Sequence, residues 1–183
     1  MSKSTVSYQI INVIFSVITI IIFVLLILAP LPGMELFGIK PNWFLILLVA
    51  WSLKRSLFSA AAGGLVFGLI LDGITTANPT HVFSFIFVGI ITVLIYRKMI
   101  KKVQEDFISV ALIVFGMAIV VETIRALQFS RMGNHTLMDL WLYQQQIALI
   151  SAILSSLWAP VVYFPLNRWW EWMKSLNSTP YSS

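Results

Sequence analysis

Asp72, Glu122 and Arg125 are charges set inside stretches otherwise dominated by Leu, Ile, Val, Phe, Ala and Gly, so any chemistry starts with them. Asp72 closes the segment AAAGGLVFGLILDG (60–73), in which Ala60, Gly64, Gly68 and Asp72 recur every four residues and share one helical face. A carboxylate at the C-terminal end of a helix opposes the helix dipole. In hydrocarbon it costs about 2.5–3.5 kcal/mol at mid-depth and less near an interface. It therefore needs water, a cation or a hydrogen-bond donor. Three uses fit: a surface Asp-Gly turn, a contact with a neighbouring helix or a partner protein, and a coupling-ion or substrate site. Glu122 and Arg125, three apart in VVETIRAL, share a face and can form an ion pair.

Other reactive groups are scarce. His81 and His135 flank different helices, and His135 sits in its loop without a second ligand, so neither defines a metal site. The chain has no cysteine, which removes thiol nucleophiles, disulfides and thiolate–metal sites. It also lacks a P-loop, a dinucleotide fingerprint, a paired-histidine metal motif and a Gly-x-Ser-x-Gly elbow. These residues predict neither an enzyme nor a bound cofactor.

The elements that must position these charges follow from composition. Of the 183 residues, 59% are hydrophobic and 10% charged, against roughly 25% charged in an ordinary soluble domain. That is too little polar surface for a globule in water, and the length fits one domain. Six apolar stretches, at about 8–29, 41–53, 57–74, 82–96, 107–124 and 143–165, are separated by PLPG, Lys54-Arg55, NPT, RKMIKK and RMGNHT. The first has 22 residues, longer than the roughly 7–15 of a signal-peptide core, and reads as a retained span. A crossing takes about 20 residues, so the short second and fourth stretches need flanking residues, a thin bilayer or protein cover. The expected fold is an all-α integral membrane protein: one bundle of six transmembrane helices with cytoplasmic N- and C-termini. SLNSTPYSS (175–183) reads as a disordered tail.

Loop charges orient the chain. Six crossings place nine Lys and Arg inside and three outside; five crossings with an outside N-terminus give the same split, exchanging Lys3 and Lys40. Both arrangements leave the C-terminus inside. Trp169, Trp170 and Trp172 beside Arg168 suit an inner aromatic belt. Thr136 and Asp139 form a capping-box pattern before the last helix. Within that helix Ser151, Ser155 and Ser156 can bond to its own carbonyls or across to a neighbour, and Pro160 and Pro165 are expected to bend or end it. The small face of the third stretch predicts close packing inside the bundle, with a dimer face as the other use.

KPNWFLILLVAWSL (40–53), the basic pair that follows, and GGLVFGLILDG (63–73) together resemble the rod shape-determining protein MreD family. In that family a basic-Pro-Asn-Trp start opens the second helix and a Gly-rich helix ending in Gly-x3-Asp makes the third. Pro41, Asn42, Trp43, Gly64, Gly68 and Asp72 match by position, and Glu122 loosely matches an acidic position in the fifth helix. The local match covers about 35 residues, and Thr80 stands where members often carry glycine.

The resemblance implies that the second stretch crosses, with Pro41 at a first helical position and Trp43 at the outer interface. It also implies a non-enzymatic subunit of the bacterial inner-membrane cell-elongation machinery. Such a subunit binds the bitopic protein MreC and couples it to MreB filaments and to RodA with its class B penicillin-binding protein. The family's bundle is similar to that of substrate-binding subunits of energy-coupling-factor vitamin transporters, which makes that class the alternative. Their first helix usually carries a small-x3-small motif, which SVITIIIFVLLIL (16–28) lacks. An ion-coupled carrier using Asp72 is a third class. Candidate packing or partner residues are thus Pro41, Asn42, Trp43, Ala60, Gly64, Gly68, Asp72, Glu122 and Arg125.

Overall fold

The computed structural model describes residues 3–29, 33–75, 78–99, 106–132 and 137–178. These form six α-helices: α1 Lys3–Leu28, α2 Trp43–Ser52, α3 Leu57–Thr75, α4 Val82–Met99, α5 Phe107–Met132 and α6 Leu137–Ser178. Each apolar stretch of the sequence has become one helix. Four of them (α1, α3, α5 and α6) contain segments long and apolar enough to cross a membrane. The chain is therefore all-helical, with the length and composition of a membrane protein.

The shortest helix is the centre of the bundle. α2 has only 10 residues, yet it packs against each of the other five helices. Trp43 through Ala50 are all buried, with Phe44, Leu45, Leu48 and Val49 fully so. A helix that is apolar on every side is stable only when covered on every side, and here protein supplies the cover. Its start is set by Asn42, whose side-chain oxygen accepts from the Leu45 N–H at 3.1 Å as an N-cap. Because Asn42 takes the cap, Pro41 lies one residue before it and not at the first helical position. Trp43 packs inward: it is 4% exposed, wedged between Phe23 of α1 and Trp158 of α6, with ring centres 6.2 and 5.7 Å away.

α3 and α4 form a close hairpin, and α5 packs along α6. α1 is the outlier. Only 6% of its apolar segment is buried, and among the described residues its close backbone approaches are to α2 and α6. Its attachment is aromatic: Phe15 stacks on Trp169 with ring centres 4.1 Å apart, besides the Phe23–Trp43 contact. Two of the three tryptophans expected in a belt also fasten helices together, since Trp170 meets Trp51 edge-on at 5.7 Å; Trp172 is 51% exposed. Pro160 and Pro165 do not end α6, which runs 42 residues through both and continues to Ser178, four residues into the expected tail. The Thr136 cap and His135 lie outside the described residues.

Candidate functional site

The small face of α3 is filled by α4. Ala60 is fully buried. A Cβ added at Gly64 would lie 2.5 Å from the carbonyl oxygen of Phe85, and one at Gly68 would lie 2.7 Å from the Cα of Val82. From the other side, a Cβ at Gly89 would lie 2.5 Å from the carbonyl oxygen of Ala60. Two helices approach this closely only where side chains vanish from the seam. The glycines therefore serve packing within one chain.

That approach brings the end of α3 beside the start of α4, which determines the surroundings of Asp72. The residue stays helical, because α3 continues to Thr75 and no Asp-Gly turn forms there. Its Oδ1 accepts the backbone N–H of His81 at 2.8 Å and lies 2.7 Å from the His81 ring Nδ1; its Oδ2 accepts the hydroxyl of Thr80. Thr80 Oγ1 in turn accepts the Val82 N–H at 3.2 Å, capping the first turn of α4. The carboxylate at the unfavourable end of one helix is thus held by donors at the start of the next, whose dipole favours negative charge. Thr80, the departure from the family pattern, supplies one of those donors.

His81 is nearly buried. Burial pushes its imidazole below the ordinary histidine range, and the positive charge of Arg125 acts in the same direction; the hydrogen bond and charge of Asp72 oppose them. The neutral ring can donate from Nδ1 to Asp72 Oδ1, which fixes the tautomer and the ring orientation.

Glu122 and Arg125 meet each other, Nη1 to Oε1 at 3.9 Å, as an i,i+3 pair. Among the described residues no ion pair joins them to Asp72. Glu122 opens instead onto a cavity of about 220 Å³ between α5 and α6, shared with Thr123 and Gln145. The Nε of Arg125 and the Oε1 of Gln128 are buried without a hydrogen-bond partner. Asn42 forms a separate junction: its N–H donates to Ser155 Oγ at 2.8 Å, while Ser151 Oγ donates to the Lys40 carbonyl at 3.3 Å. Of the three serines of α6, Ser151 and Ser155 reach across to the 40–42 segment, and Ser156 bonds back to Ile153. Ser155 is fully buried and belongs with Asn42 as a positioning residue.

The sequence reading missed Thr80 and His81 as the partners of Asp72. They follow it by eight and nine positions, and a spacing of eight within one helix would have placed Thr80 on the same face. Only the return of the chain brings both beneath the carboxylate.

The arrangement is a closed network of caps and close-packed glycines. Among the described residues, no group of three or more His, Asp or Glu is placed to hold a metal ion. No protein-family model, curated protein sequence or solved structure matches the chain.

Proposed function

We propose that this chain is a membrane scaffold: six helices crossing a bacterial inner membrane, both termini cytoplasmic, working without catalysis in the complex that elongates the cell wall. In this reading it holds MreC and links it to RodA, a class B penicillin-binding protein and MreB. One observation carries the proposal. Of the residues that resemble the MreD family, Asn42, Trp43, Gly64, Gly68 and Asp72 lie where one helix meets the next, and Pro41 is buried beside Asn42. A sequence signature spent on building a rigid frame fits a protein whose output is binding. The frame also leaves much of the apolar surface of α1 uncovered, Val13 being 62% and Ile21 51% exposed, and this is a surface that lipid or a partner helix can take.

The test is depletion of the protein in its host, together with affinity capture from detergent-solubilised membranes. Rounded cells and recovery of MreC with the tagged protein are expected. Unchanged rod growth on depletion rules the proposal out.

A further inference from the structure

An apolar groove lies between α1 and the rest of the bundle. α1 and α3 do not approach each other, and the gap between them is a groove of about 280 Å³ lined by Phe15 and Thr19 of α1, Trp51 of α2, Gly63 and Val66 of α3, and Trp170 of α6. Its walls offer little to a polar guest. The hydroxyls of Ser16 and Thr19 are already used, each donating at 2.8 Å to a carbonyl of its own helix. The wall along α3 runs from Ser59 to Phe67, about 12 Å at the helical rise. A space of that length and volume takes part of a hydrocarbon chain, whereas a helix about 10 Å across would need far more volume.

The mouth differs from the walls. Arg55 sits at the end where α2 turns into α3, its guanidinium 4.4 Å from the centre of the Trp51 ring. Neighbouring Lys54 is bound to Glu171 at 2.9 Å, whereas Arg55 has no carboxylate partner among the described residues. Its planar fork of N–H groups matches phosphate oxygens. Burial without an anion lowers the Arg55 pKa, so a bound anion would relieve a standing cost. Trp51 lines the groove and also carries Arg55, so the cation adjoins the apolar slot through that ring.

We infer that this groove is a site for an anionic phospholipid, one acyl chain lying between α1 and α3 and the phosphate held on the edge of Arg55. Cationic pockets between membrane helices select such headgroups. The inference rests on the reading that these helices lie in a bilayer.

The test titrates the purified full-length protein in detergent with phosphatidylglycerol and phosphatidylcholine of identical chains, counting bound lipids by native mass spectrometry. The wild type is expected to hold phosphatidylglycerol about fivefold more tightly, the contribution of one cation near a membrane surface. Arg55→Gln should bring the two lipids level. Ala62→Phe, on the groove wall, should weaken both, with Val66→Phe as its substitute if Ala62→Phe lowers the unfolding temperature. Equal binding of both lipids by the wild type, a preference that survives Arg55→Gln, or a photo-crosslinker at position 62 that captures protein in place of lipid overturns the inference. A protein that stays monodisperse without detergent instead overturns the bilayer reading.

Discussion

At the scale of single residues, Asp72 connects two helices through three donors on Thr80 and His81. An asparagine there keeps one acceptor oxygen and adds a donor facing other donors. Asp72→Asn should therefore cost about 1–3 kcal/mol, the range for leaving buried polar groups unsatisfied. Thr80→Val should cost less. The double variant should lose less than the sum of the two, because both remove the same contact. Thermal unfolding in detergent measures all three; strict additivity would mean that the contact contributes nothing.

His81 makes a pH prediction with a definite sign. Its folded-state pKa lies below the ordinary value of 6.5 because burial disfavours the imidazolium. The unfolded chain then takes up a proton before the folded one. This contribution to stability is complete above the unfolded pKa and is lost as pH falls from about 6.5 through the folded value. The unfolding temperature should drop more between pH 8 and pH 5.5 for the wild type than for His81→Gln. An equal drop in both assigns the pH dependence to other groups.

At the scale of elements, the α3–α4 seam tolerates no added side chain where it closes. Gly64→Leu and Gly68→Leu force atoms into the backbone of α4, whose Phe85 carbonyl and Val82 Cα cannot swing aside as a side-chain tip can. Overpacking of this kind costs about 1–3 kcal/mol and often more, so both variants should accumulate poorly and melt lower. Gly73 is the internal control. It is in the same helix, yet a Cβ there meets nothing within 4 Å. Gly73→Ala should stabilise the protein by about 0.5–1 kcal/mol through helix propensity. If Gly73→Ala and Gly64→Leu fall together, the damage is not steric.

The same scale explains α6. Its 42 residues reach about 63 Å at the helical rise, roughly twice a hydrocarbon core. On the bilayer reading, part of it extends beyond the hydrocarbon, and its C-terminal part carries Arg168, Glu171 and Lys174. There Glu171 bonds Lys54 at 2.9 Å and Asn167 at 3.1 Å, joining α6 to the α2–α3 turn.

At the scale of the whole molecule, the proposed threading makes a sharp statement about sides. Reporter fusions at residue 3, in the 54–55 turn, in the 97–102 turn and at the C-terminus should all report cytoplasm, and fusions near 37 and 78 should report the opposite side. In that threading Phe37, 87% exposed at the tip of a tight turn with Gly38 at φ 75°, would meet the outer interface. A five-span chain would put residue 3 outside. A turn at 97–102 found outside would end the scaffold proposal.

The sequence by itself determined the helices: six apolar stretches became six helices, with differences confined to their ends. Composition and local spacing suffice for this, because a long apolar run can satisfy its backbone only by coiling on itself. The small face of α3 was legible for the same reason, being a pattern within a few residues; the Asn42 cap was not, because Pro41 reads as the first helical position. Only the tertiary structure decided which face meets which helix. Trp43 reads as an interface residue, and its packing inward follows from the enclosure of α2 on all sides. Asp72 finds Thr80 and His81 because α4 returns along α3, and Ser155 finds Asn42 across 113 positions. Where lipid and protein are equally apolar, hydrophobicity cannot tell a helix which side to hide. That choice falls to close packing and to a few hydrogen bonds, which form only once the chain has folded back on itself.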